Sequence, residues 1–135
     1  MKDLPELTSE EMNSIEPILA SQTRRAKKTI TLDWLLTKWV RLVMQVEEGY
    51  QLSIDDYNNA ITRRDKIQEI LDGSQQVTRD KLSTWLVEWD DRFKKATKEV
   101  EEPPFPYLPK EMQWWWYRIP LNPGDELKKW FSLTQ

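Results

Sequence analysis

Apolar residues recur at three- and four-residue intervals along most of residues 8–100, a spacing that predicts helices each burying one face. The series opens at Thr8-Ser-Glu-Glu11, where a Thr hydroxyl and a Glu carboxylate can satisfy the free amides of a helix start. Pro17 interrupts the helix begun there, either kinking it or opening another that runs to about Lys28. The next helix is predicted from about Thr31 to Glu48, with Leu32, Leu35, Leu36, Trp39, Val43 and Val46 inward and Gly49 as a left-handed C-cap. A further one starts at Ser53, where Asp56 completes a capping box and Leu52 and Tyr57 stand at staple positions. Its buried side is Tyr57, Ala60, Ile61, Ile67, Ile70 and Leu71, and Gly73 marks its end. The last long helix is predicted to start at Thr78 as cap, with Val77 and Leu82 as staple. It carries Leu82, Trp85, Leu86, Trp89, Phe93 and Val100 inward and stops only before Pro103 and Pro104. Short connections favour antiparallel neighbours, so the fold class is all-α, a small helical bundle of about four main helices.

This pattern breaks at Pro103. Residues 103–109, Pro-Pro-Phe-Pro-Tyr-Leu-Pro, suit neither a helix nor a central strand and predict extended polyproline II. Gln113-Trp-Trp-Trp-Tyr-Arg-Ile-Pro120 comes next. A short terminal helix is predicted to open at Asn122-Pro-Gly-Asp125 and to carry Leu127, Trp130 and Phe131. Residues 1–102 thus read as the bundle and 103–135 as a proline/aromatic-rich C-terminal arm packed on it, one domain overall.

Composition narrows the function classes. Lys and Arg number 20 against 23 Asp and Glu, and no half of the chain is strongly basic, so no nucleic-acid partner is expected. The lack of Cys excludes disulfides and thiol nucleophiles, and the lack of His removes the commonest metal ligand and general base, so no cofactor is expected. Met1-Lys-Asp-Leu-Pro-Glu-Leu lacks the apolar stretch of a signal peptide, and no run reaches the roughly 18 apolar residues of a spanning helix. The expectation is therefore no membrane and a cytoplasmic location.

Eight Trp residues, most of them in the second half, supply the candidate chemistry. Trp114, Trp115, Trp116 and Tyr117 cannot all face one core in any regular conformation. The arm is expected to fold back so that its rings stack on Trp85, Trp89 and Trp130, with part of it left as a binding surface, since Trp, Tyr and Arg dominate interface hot spots. Two P-x-x-P spacings, Pro103 to Pro106 and Pro106 to Pro109, add a ligand shape for aromatic grooves. Arg118 stands among aromatics where its guanidinium could clamp an acidic group. Arg64 and Asp90 lie near the apolar stripes of their helices and so predict a bridge between neighbours, or a polar notch for a ligand.

The alternative is catalytic. Glu69 with Asp72, and Glu88 with Asp91, place carboxylates three apart on one helix face, a set that could hold Mg²⁺ over a polyphosphate. The spacing resembles the E-x-x-E then E-x-x-D pattern of all-helical nucleotide pyrophosphohydrolases, departing from it in that Asp72 replaces Glu beside Gly73. The reading favoured by the residues is a non-catalytic protein-interaction or regulatory module. It binds a protein partner through Trp114, Trp115, Trp116, Tyr117 and Arg118, with Arg64 and Asp90 nearby. Association into a homo-oligomer is left open by the sequence.

Overall fold

The structure, a computed structural model, describes residues 4–134, so the first three positions of the N-terminal Met1–Leu7 stretch lie outside it. Four helices form the bundle: α1 (Ser9–Ala26), α2 (Leu32–Glu48), α3 (Ile54–Gly73) and α4 (Gln76–Lys95). Local capping chemistry sets most of their starts. Thr8 and Glu11 form the reciprocal capping box of α1, Thr31 Oγ1 accepts from Trp34 N–H, and Ser53 and Asp56 box the start of α3. Pro17 is absorbed inside one α1 rather than opening a second helix; it faces solvent. α1 ends on Lys27 in the left-handed region (φ 57°). The core gathers the inward stripes of α2, α3 and α4 with Ile15 and Leu19 of α1, and Leu35, Leu36, Trp39, Tyr57, Ile61, Ile67 and Phe93 are all completely buried at its centre. Among the described residues no helix is long and apolar enough to cross a membrane.

The fourth helix departs from the sequence-based expectation at both ends. It begins after Gln75, not at Thr78, which is buried inside the first turns, while Val77 is 65% exposed and makes no staple with Leu82. The cause is the tight α3–α4 connection. Arg79 donates to the carbonyls of Leu71 and Ser74, and Ser74 N–H and Oγ both bond Leu71 O, so α4 must already be wound at Arg79 to cap α3. At the other end α4 stops at Lys95, well before Pro103, and the chain becomes strand β1 (Thr97–Glu99). β1 pairs antiparallel with β2 (Arg118–Pro120) in the register Thr97 to Pro120, Lys98 to Ile119 and Glu99 to Arg118. This two-stranded ladder, which no sequence pattern announced, ties the arm to the bundle.

Between the strands the arm is irregular. Bends at 101–102, 106–107 and 110–111 replace the continuous polyproline II run expected there. Trp114–Tyr117 then form one turn of 3₁₀ helix. The terminal helix α5 covers Asp125–Thr134 and starts after Gly124, whose carbonyl accepts from Lys128 N–H, not at Asn122 and Pro123. Those preceding residues serve another contact: Tyr50 N–H donates to Asn122 O at 2.9 Å and Gly124 N–H donates to Tyr50 O. Gly49 adopts φ 106° and ψ 112° to deliver Tyr50 to that loop, so it ends α2 outside the left-handed helical region that a standard C-cap would use.

Candidate interaction site at the docked arm

The 3₁₀ turn explains where four adjacent rings can go. At three residues per turn, Trp114 and Tyr117 eclipse each other while Trp115 and Trp116 take the other two directions. Trp115 and Trp116 are accordingly buried, each 1% exposed, whereas Trp114 and Tyr117 are half-buried. Both buried indoles converge on one carboxylate of α3. Trp115 Nε1–H donates to Asp65 Oδ1 at 2.7 Å, and Trp116 Nε1–H reaches both Asp65 oxygens at 3.0 Å. Burial holds the Asp65 carboxyl above the usual carboxylate range, and the two indole hydrogen bonds offset that only in part.

Two rows of rings extend from this point. Trp116 meets Phe105 edge-on at 5.1 Å, Phe105 stacks on Tyr57 at 5.5 Å, and Tyr57 meets Tyr50 at 5.2 Å. Trp115 meets Trp114 at 5.4 Å, Trp114 lies 6.1 Å from Phe93, and Phe93 lies 4.8 Å from Trp39. Ring burial anchors the arm. At about 25 cal/mol per Å² and roughly 200 Å² for a Trp, each buried indole contributes up to about 5 kcal/mol, against about 1 kcal/mol for a hydrogen bond. The bonds to Asp65 therefore orient what burial holds.

The sequence-predicted residues fall into place around this anchor. Arg64, beside Asp65, forms a two-pronged bridge to Asp90 on α4, Nε to Oδ1 at 3.2 Å and Nη2 to Oδ2 at 2.8 Å. Trp39 Nε1–H shares Asp90 Oδ1 at 3.0 Å, and the Arg64 guanidinium lies 4.3 Å over the Trp115 ring. This is the helix-to-helix bridge, with both partners largely buried, rather than an open notch. Arg118 does not offer a free clamp. Its Nε donates to Thr97 Oγ1 at 2.8 Å and its Nη2 to the carbonyls of Lys94 and Thr97 at 3.1 Å, closing the C-terminus of α4.

The paired carboxylates are engaged in other contacts or stand on an exposed helix side. Glu69 accepts from Arg25 at 2.7 Å and from Gln22 at 2.8 Å, and Asp72 accepts from Gln68 at 2.9 Å. Glu88 and Asp91 stand on the exposed side of α4. Among the described residues no group of three or more Asp or Glu is placed to hold a metal ion. Glu69, Asp72 and Asp65 do line a groove of about 380 Å³ under Pro109, Lys110 and Glu111 of the arm, but each already accepts the hydrogen bonds given above.

Two functional features carry no sequence motif. Asp65 is one; the available signal was that buried indoles demand acceptors. Asn58, 4% exposed, is the other: it accepts Tyr107 N–H on its Oδ1 at 3.0 Å and so fixes the tip of the arm. Comparison with protein-family models, with curated proteins and with solved structures finds no match.

Proposed function

We propose that the chain is a non-catalytic, cytoplasmic interaction module that binds a protein partner through the tip of its arm, residues 106–109. One observation carries this reading: Tyr107 is 75% and Leu108 51% exposed, two and three residues after Phe105 at 7%. Trp115 and Trp116, the expected contact rings, serve as anchors, and the contact surface narrows to what the anchors present. That tip is held from beneath. Trp130 Nε1–H bonds Pro104 O, Phe105 stacks on Tyr57, and Tyr107 N–H bonds Asn58. A large aromatic and a Leu displayed on a fixed, proline-bounded backbone lose little conformational entropy on binding. The non-catalytic part of the reading is supported by the commitment of Arg64, Asp90, Arg118, Glu69 and Asp72 to structural bonds.

A photoreactive phenylalanine analogue at position 107, expressed in the native cell, tests the proposal. It should cross-link one defined protein, and Leu108→Ser should abolish the adduct without lowering the melting temperature. An equal yield from the same analogue at the exposed control position Val87, or none at 107, would contradict it.

A further inference from the structure

α2 and α3 pack along one another and turn a shared polar seam outward. On α2, Trp34, Lys38, Arg41 and Gln45 succeed one another at steps of four, three and four; on α3, Asp56, Asn59 and Arg63 do so at steps of three and four. Such steps make one stripe on each helix. Lys38, Arg41, Gln45, Asp56, Asn59 and Arg63 line a cleft of about 180 Å³ whose wall includes the buried Tyr50. Arg63 precedes Asp65 by two residues, which on a helix turns it nearly to the opposite side from the arm.

Among the described residues the cations here hold no carboxylate in an ion pair. Elsewhere Arg25, Arg64, Lys81 and Arg92 each hold a carboxylate at 2.6–2.8 Å. Among the described residues, Lys28, Lys38, Arg41 and Arg63 have no such partner within ion-pair distance. Instead three of them crowd one ring: Lys28 Nζ lies 4.4 Å, Arg63 Cζ 5.2 Å and Lys38 Nζ 5.9 Å from the Trp34 centroid. The one carboxylate lining the cleft, Asp56, already accepts from Ser53 N–H and Oγ in the α3 capping box. Burial first, and then Arg41, Arg63 and Lys28, hold the Lys38 ammonium below the usual lysine range. Burial likewise lowers Arg63, with Arg41 adding to it against the opposing influence of Tyr50 and Asp56.

Three cations and one carboxylate leave the cleft with an excess of about two positive charges, a matter of counting Lys38, Arg41 and Arg63 against Asp56. We infer that this cleft is an oxyanion site that takes the phosphoryl group of a phosphate monoester. A phosphoryl group brings close to two negative charges and three acceptor oxygens, which two guanidinium forks, one ammonium and the amides of Gln45 and Asn59 can meet together. A single carboxylate carries half the charge. A nucleic-acid backbone offers one charge per phosphate over a long track, whereas the cationic seam is short on a chain of net charge -3. The inference stands apart from the arm-tip reading, which uses other residues.

Titration of the full chain by ¹H–¹⁵N NMR tests it, first with inorganic phosphate, then in parallel arms with a phosphoserine peptide and with a sugar phosphate. These arms distinguish a phosphorylated partner from a small metabolite, and saturation by either supports the site. Shifts should concentrate at Lys38, Arg41, Asn59, Arg63 and the Trp34 indole. Lys38→Gln should weaken binding at least roughly tenfold, as expected for a lost charge-assisted contact, while leaving the melting temperature unchanged or raised through relieved repulsion. Arg41→Gln, at an exposed position, should repeat the loss of binding. The inference is overturned if no phosphate ester saturates below about 10 mM, which corresponds to under 3 kcal/mol. It is also overturned if Lys38→Gln binds like the parent chain, or if an oligothymidylate without terminal phosphates binds more tightly than the monoesters.

Discussion

At Asp65 one carboxylate receives the indole protons of two successive residues, so a single substitution strands both donors. Asp65→Ala is predicted to cost about 3 kcal/mol in urea unfolding, from two buried N–H groups left without acceptors. A loss below about 0.5 kcal/mol would mean that ring burial alone positions the arm. The pH dependence has a definite sign. Because the folded state raises the Asp65 pKa above its ordinary 3.8, its contribution is fully present below that value and is lost as pH rises through the folded pKa. The stability advantage of the parent chain over Asp65→Asn should therefore be greater near about pH 3 than near about pH 7. Glu47 and Glu69, lowered in the folded state, act in the opposite sense but identically in both proteins, so they cancel in the difference. Arg64 and Asp90 were legible as a bridge because charges beside an apolar stripe must find each other. Asp65 was not, since its partners lie 50 and 51 residues away and no local spacing marks them.

At the scale of elements, most helix starts set by neighbouring residues were legible, that of α4 excepted, and features set by distant chain were not. Thr8 and Ser53 cap their helices through bonds spanning three residues, visible in the sequence as short motifs. The C-terminal limit of α4 is set from afar. Thr97 Oγ1 bonds Phe93 O, Arg118 closes the carbonyls of Lys94 and Thr97, and pairing with β2 overrides the helical propensity of residues 96–102. Gly49 is a similar case: a glycine near a helix end was predictable, but its φ of 106° arises from the need to bring Tyr50 against Asn122 and Gly124. Gly49→Ala is predicted to destabilise by about 1–2 kcal/mol, since a Cβ disfavours that backbone region although it meets no atom closer than 3.5 Å. Chemical denaturation checks this, and an unchanged midpoint would contradict it.

For the whole molecule, the arm is the closing layer of the core rather than an appendage. The β1–β2 ladder, the Asp65 anchor, the Phe105–Tyr57 stack, the Tyr107 bond to Asn58 and the Tyr50 bonds to Asn122 and Gly124 attach it to the bundle. The arm's rings meet Phe93 and Tyr57 and one another through Phe105, because the 3₁₀ turn aims them at α3 and at the end of α4. This attachment is what allows Tyr107 and Leu108 to remain exposed at a fixed position. The most direct test is hydrogen exchange at the Trp115 and Trp116 indole Nε1–H groups, monitored by NMR under native conditions. Both should exchange only through global unfolding, with the same opening free energy as the slowest amides of α2 and α3. Exchange through a smaller opening that leaves those amides protected would contradict the anchoring role of the two rings, because the arm would then detach from an intact bundle and expose them.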